Sequence, residues 1–177
     1  PKLGQARLMP EMTDSLAAEG FQATLMQRGI SKEELDALWS GLPAKTRKSP
    51  KLIHLRSQAL NMLGRGNEAE REIRAALKRH WDKELVLGYG QIKTEEPLRQ
   101  LKRAEEWLRA HPEDASLLLT AARLCMVNEL WGKAKSYLES SIAIAPGSNA
   151  YALYGRLLNK LGQEEEAKAA FCSGLAL

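Results

Sequence analysis

The sequence predicts an all-α fold in which short amphipathic helices pair into hairpins and stack in series as a right-handed solenoid. Three observations predict it. Between Tyr151 and Leu175, two apolar stripes at helical spacing flank a break at Leu161-Gly162-Gln163. The first stripe carries Tyr151, Tyr154, Leu158 and Leu161 around a small residue, Gly155, and on the second Ala167 and Phe171 lie one turn apart. The spacing then recurs upstream: Pro112 and Pro146 are 34 residues apart, and Ala134 and Ala167 are 33 apart.

This order of bulky and small residues resembles the tetratricopeptide (TPR) repeat, whose period is about 34 residues. Tyr151 stands where that pattern prefers Trp, and Leu158 where it prefers Tyr. Packing explains the pattern. Gly155 and Ala167 belong where two antiparallel helices cross closely, while Phe171 and Leu175 fill the space toward the next pair. A hairpin this small cannot bury its apolar face alone, so neighbours must stack on it.

The chain divides into an N-terminal helical segment, residues 1–48, and repeats at about 49–81, 82–113, 114–147 and 148–177. Thr13 or Asp14 caps a helix to about Arg28 with an apolar stripe of Leu16, Phe21, Leu25 and Met26, and Gly29 stops it. Ser31-Lys32-Glu33-Glu34 is a capping box opening a helix whose buried face is Leu35, Leu38 and Trp39. Gly41-Leu42-Pro43 ends that helix, and Ser49-Pro50 starts the next.

The first repeat pairs Ile53, Leu60 and Leu63 with Ala69, Ile73, Ala76 and Leu77 across Gly64-Arg65-Gly66, and Ser57 takes the small position. Asp82 caps a short helix, Glu84 to Ile92, whose Tyr89-Gly90 echoes Tyr154-Gly155. Its partner, Glu95 to Ala110, carries Leu98, Leu101, Ala104, Trp107 and Leu108. Asp114 caps a third pair: Leu118, Ala121, Ala122 and Cys125 face Trp131, Ala134, Leu138, Ser141 and Ile142. Trp39, Trp81, Trp107 and Trp131 read as packing residues between repeats.

Apolar content of 44% and charged content of 27% are ordinary for a globular chain. The net charge of +4 is spread along the sequence and gives a mildly basic surface, with no nucleic-acid footprint. Two cysteines without a CxxC motif suit a reducing compartment. No apolar run reaches the roughly 18–20 residues that span a bilayer. The chain begins with Pro1, and the expectation is a fragment of a longer protein.

No catalytic constellation is present in the sequence, and the expectation is a non-enzyme. His54, His80 and His111 are scattered, none lies in HExxH, and none pairs with a cysteine at metal spacing, so no metal site is expected. Lys45, Arg47, Lys48 and Lys51 form the densest basic patch, extended by Arg56. It reads as a solvated connector that also suits an anionic lipid or an acidic partner. Without interleaved aromatics it does not suit nucleic acid.

Beyond the repeats, the chain resembles the C-terminal region of the bacterial HemY-type haem-biogenesis protein. The resemblance rests on LDALWSGLPAKTRKSP at 35–50, EAEREIRAALKRHWDKELVLGYG at 68–90, RAEEWLRAHPEDASLLL at 103–119 and LWGKAKSYLESSIAIAP at 130–146. The KRHWD junction at 78–82 and ELWGKAKSYLE at 129–139 are its narrowest signals. It implies an inner-membrane protein whose hydrophobic hairpin precedes this chain, with the TPR region on the cytoplasmic side. It implies a scaffold for the last enzymes of protohaem synthesis, protoporphyrinogen oxidase and ferrochelatase, rather than a catalyst. The alternatives are a haem or porphyrin carrier, for which His54, His80 or a Met would supply the iron ligand, and a general TPR peptide receptor. No cofactor is otherwise expected.

Repeat register puts the partner-binding surface on the first helix of each pair. The residues so placed are His54, Gln58 and Asn61; Gln91; Arg123 and Met126; and Arg156, Asn159 and Lys160. Together they describe a polar groove suited to a peptide or a partner helix. Leu87, Leu119 and Ala152 stand where a carboxylate clamp would use Lys, which argues against capture of a free C-terminus. The apolar end formed by Phe171, Leu175 and Leu177 suits pairing with a second copy.

Overall fold

The computed structural model describes residues 10–27 and 29–177. Among them are ten α-helices, one 3-10 turn and no strand: α1 Pro10–Gln27, α2 Lys32–Gly41, the 3-10 turn Thr46–Lys48, α3 Pro50–Met62 and α4 Gly66–Arg79. They continue as α5 Lys83–Tyr89, α6 Pro97–Ala110, α7 Ala115–Val127, α8 Trp131–Ile144, α9 Ser148–Lys160 and α10 Glu164–Leu175. The chain forms two compact units, one up to Leu85 and the other Val86–Leu177.

In the first unit, α2 opens with a complete capping box. Ser31 N donates to Glu34 Oε2 at 2.9 Å, and Glu34 N donates to Ser31 Oγ at 3.2 Å. Pro50 occupies the first turn of α3. The amphipathic helix α4 packs on α3 and buries Ala69, Ile73, Ala76 and Leu77. Helix α1 also lies against α3, and Phe21 meets Trp39 edge to face with ring centroids 6.0 Å apart.

In the second unit, α6 packs on α7, α7 on α8, α8 on α9 and α9 on α10, while α7 also touches α9. Helix α7 is buried along nearly its whole length because it is flanked on several sides. Leu117, Leu118, Leu119, Ala121, Ala122, Leu124 and Cys125 are all buried. Asp114 caps it, accepting from Ser116 N at 2.9 Å and Leu117 N at 3.0 Å. The α9–α10 pair closes around Leu158, Ala167 and Ala170, with Tyr151, Tyr154 and Phe171 packed against them.

Several expectations are corrected. Helix α1 begins at Pro10, so Thr13 and Asp14 lie inside it rather than capping it; the side chain of Met26 and the helix end at Arg28 lie outside what is described. Gly66 is the first residue of α4 and not part of the turn. Helix α5 ends at Tyr89, short of Ile92, and α6 starts at Pro97 instead of Glu95. Leu16, Leu38, Leu98, Leu161 and Leu175 are exposed, Leu175 by 87%, because no described helix covers that edge of each stripe.

Arg56 is the largest departure. It is no part of the basic patch: only 7% exposed, it points inward to Asp36, Glu68 and Glu72 and stacks 4.8 Å from the Trp39 ring centroid. Arg65 joins the same network, 2.8 Å from Asp36 and 2.6 Å from Glu68. Its position on the buried face of α3 explains the reversal, since a guanidinium there needs carboxylates and finds three.

Candidate partner-binding face

In each pair, taken by itself, a small residue on or just past the first helix marks the register. Gly155 lies so close to α10 that an added Cβ would stand 2.6 Å from the Phe171 ring. Gly90, just past α5, would bring a Cβ to 3.0 Å from Thr120 Cγ2 of α7. Ser57 and Ala122 are fully buried at the corresponding register of α3 and α7. The next residues in sequence are Gln58, Gln91, Arg123 and Arg156. All four lie among the expected site residues; Gln58, Gln91 and Arg156 are exposed and Arg123 is half-buried.

In the first unit, His54 is half-buried on α3. Its Nε2 lies 3.0 Å from Gln58 Nε2, and its Nδ1 is buried without a hydrogen-bond partner. Burial pushes the imidazole below its ordinary pKa, and the charges of Glu84 and Asp82 partly offset this. Asn61 is half-buried near the end of the same helix.

In the second unit, the loop that follows α5 and the outer part of α7 enclose a cleft of about 440 Å³. Gln91 and Arg123 line it together with the apolar side chains of Ile92, Leu124, Val127 and Pro97. Burial lowers the pKa of Arg123, and the like charge of Arg156 on α9 adds to the effect. Arg156 Nε donates to Ala152 O at 3.2 Å. Neither arginine has a carboxylate partner among the described residues. Met126 is half-buried, and Asn159 and Lys160 are exposed at the end of α9. Lys160 Nζ lies 5.6 Å from the Trp131 ring centroid, which draws it toward the start of α8.

The basic connector is partly structured. Lys45, Lys48 and Lys51 are exposed, whereas Arg47 is half-buried in the 3-10 turn with its Nε shielded from solvent. No group of three His, Cys, Asp or Glu side chains among the described residues could hold a metal ion. No described helix is long and apolar enough to cross a membrane.

Sequence reasoning missed the polar residues that shape the cleft. Gln100 of α6 is 4% exposed and donates through Nε2 to Tyr89 O at 2.7 Å, which ties down the end of α5. Thr120 Oγ1 donates to Val86 O at 2.8 Å and fixes α5 against α7. A buried Gln in the apolar stripe of α6, two turns before Trp107, was the available signal.

No protein-family model matches this chain, and no curated protein matches it. Solved structures do. The chain is similar to TTC0263, a thermophilic TPR protein of Thermus thermophilus, with a TM-score of 0.64 and 17% identity over 92% of this chain and 90% of that one. It is also similar to MamA, with a TM-score of 0.54 and 17% identity over 82% of this chain and 89% of that one. A third likeness is to MamA from residue 41 onward of Desulfovibrio magneticus RS-1, with a TM-score of 0.52 and 17% identity over 93% and 94% of the two chains. These likenesses show the fold, an all-α array of TPR-type helical hairpins.

Proposed function

We propose that this chain is the partner-binding part of a non-catalytic TPR scaffold, within an inner-membrane protein of the HemY type that serves late protohaem synthesis. The observation that carries the scaffold reading is the cleft beside α7, where polar side chains at repeat register stand next to the exposed Val127 and the half-buried Pro97. Such a surface suits an extended segment or a helix of another protein. The TPR-type fold supports the same class of function.

The haem connection is supported by the sequence alone, through the KRHWD junction at 78–82 and the ELWGKAKSYLE stretch at 129–139. On this reading the mechanism makes and breaks no bond. Holding protoporphyrinogen oxidase and ferrochelatase on one tethered scaffold raises the effective concentration at which one passes its product to the next. The tether is a membrane segment outside this chain, which leaves the repeats on the cytoplasmic side.

The test is cross-linking and affinity recovery of the full-length protein from its native membrane. Protoporphyrinogen oxidase or ferrochelatase is the expected product. Recovery of neither, with other cross-linked proteins present, would overturn the haem assignment and leave a general TPR receptor.

A further inference from the structure

We propose that Arg123 and Arg156 form a recognition site for an internal acidic side chain of a partner polypeptide, with the neighbouring cleft taking the apolar residue beside it. This deepens the scaffold reading above and rests on it.

The two arginines stand 33 residues apart, the same separation as Ala134 and Ala167, so they are one position repeated on successive first helices. Helices α7 and α9 touch, and the charge of Arg156 is felt at Arg123. Two other inward arginines are given carboxylates, Arg56 meeting three and Arg65 two, whereas Arg47 of the 3-10 turn has none among the described residues. At Arg123 the chain places a half-buried guanidinium beside another cation and supplies no carboxylate from the described residues. A planar guanidinium offers a fixed fork of donors that matches a carboxylate in two-point contact.

The apolar half of the site is equally well defined. Val127 is 59% exposed although it sits on an otherwise buried helix, and it lines the cleft with Ile92, Leu124 and Pro97. A volume of about 440 Å³ holds two or three side chains, and falls in the range of about 300–1,000 Å³ typical of binding clefts. The occupant that complements both halves is a segment carrying Asp or Glu next to Leu, Ile, Val or Met. The carboxylate is a side chain rather than a chain end, because Leu119 and Ala152 hold the positions where a terminal clamp would need Lys.

The test uses the 177-residue chain and a phage library of random 12-residue segments displayed internally, so that none has a free C-terminus. Enriched segments are expected to pair an acidic residue with an apolar one. A synthetic copy with both ends blocked should bind about tenfold more weakly to Arg123→Gln and to Arg156→Gln, a factor equal to about 1.4 kcal/mol. Arg156 is exposed, so its variant keeps the test valid if Arg123→Gln disturbs folding by circular dichroism. Enrichment of neutral segments, or binding to both variants as tight as to the unsubstituted chain, would overturn the acidic site and leave the groove. No enrichment at all would overturn the groove too. Arginine-dependent binding of phosphatidylglycerol vesicles without peptide selectivity would reassign the pair to a lipid surface and overturn the proposal.

Discussion

Gly155 of α9 faces the ring of Phe171 of α10 so closely that a Cβ would stand 2.6 Å from both Cε1 and Cζ. Contact at that distance forces one partner to move. Phe171 is half-buried against Leu158, Ala167 and Ala170, and swinging it outward would strip that cluster of its cover. Gly155→Ala gains helix propensity of about 1 kcal/mol, but overpacking costs about 1–3 kcal/mol. A net loss of about 1 kcal/mol is expected on those two figures. Combining it with Phe171→Leu should cost less than the sum of the two single changes, because the smaller side chain makes room. Urea midpoints of the four proteins decide it, and strict additivity would mean that the crossing is not where the strain lies.

Arg56 is the centre of the first unit's charge network. Burial raises the pKa of Glu72, and Arg56 counteracts it. Removing the arginine therefore strands Glu72, a quarter exposed, whereas Asp36 and Glu68 keep Arg65. Arg56→Ala should lower stability by about 3 kcal/mol, the low end of the effect for breaking a buried pair. Arg56→Ala with Glu72→Gln should recover part of that loss. Thermal melts of both variants test it, and a double variant no more stable than the single one would put the loss in the Trp39 stack instead.

Features that act over one turn of chain were legible in the sequence. Ser31 with Glu34, Asp82 and Asp114 cap the helices that their spacing predicts. The small positions Ser57, Gly90, Ala122 and Gly155 likewise mark close crossings or buried sites. A stripe, however, names a face and not its cover, so the leucines at 16, 38, 98, 161 and 175 read as core and are exposed. Arg56 was hidden because its partners lie 12, 16 and 20 residues away on other helices. The cleft was hidden because it depends on α5 stopping at Tyr89, which turns Gly90–Thr94 into a wall.

His54 gives the first unit a pH dependence with a definite sign. Burial holds its pKa below the ordinary value of 6.5. Above that value both folded and unfolded chains carry a neutral imidazole, and the residue contributes no pH dependence. As the pH drops below it, the unfolded chain takes up a proton that the folded chain refuses until its own lower pKa is reached. Stability should decline through that interval and level off beneath it. His54→Gln should flatten that part of the profile, as read from denaturant midpoints across the interval. An unchanged slope would assign it to other groups.

The turn between α7 and α8 carries a strain that the turns of its sister hairpins avoid. Gly64 and Gly162 take φ of 74° and 76° in those turns, and 33 residues before Gly162 the same position is Glu129, at φ 56°. A residue with a Cβ loses about 1–2 kcal/mol in the left-handed region. Glycine there is free of that loss, but gives back about 0.4–1 kcal/mol through the entropy of the unfolded chain. Glu129→Gly should therefore stabilise by about 0.5–1 kcal/mol, while Glu129→Ala, equally strained, should not. The side chain is exposed, so lost contacts do not confuse the comparison. A urea midpoint for Glu129→Gly no higher than that of Glu129→Ala would mean that the turn relaxes away from positive φ at no cost.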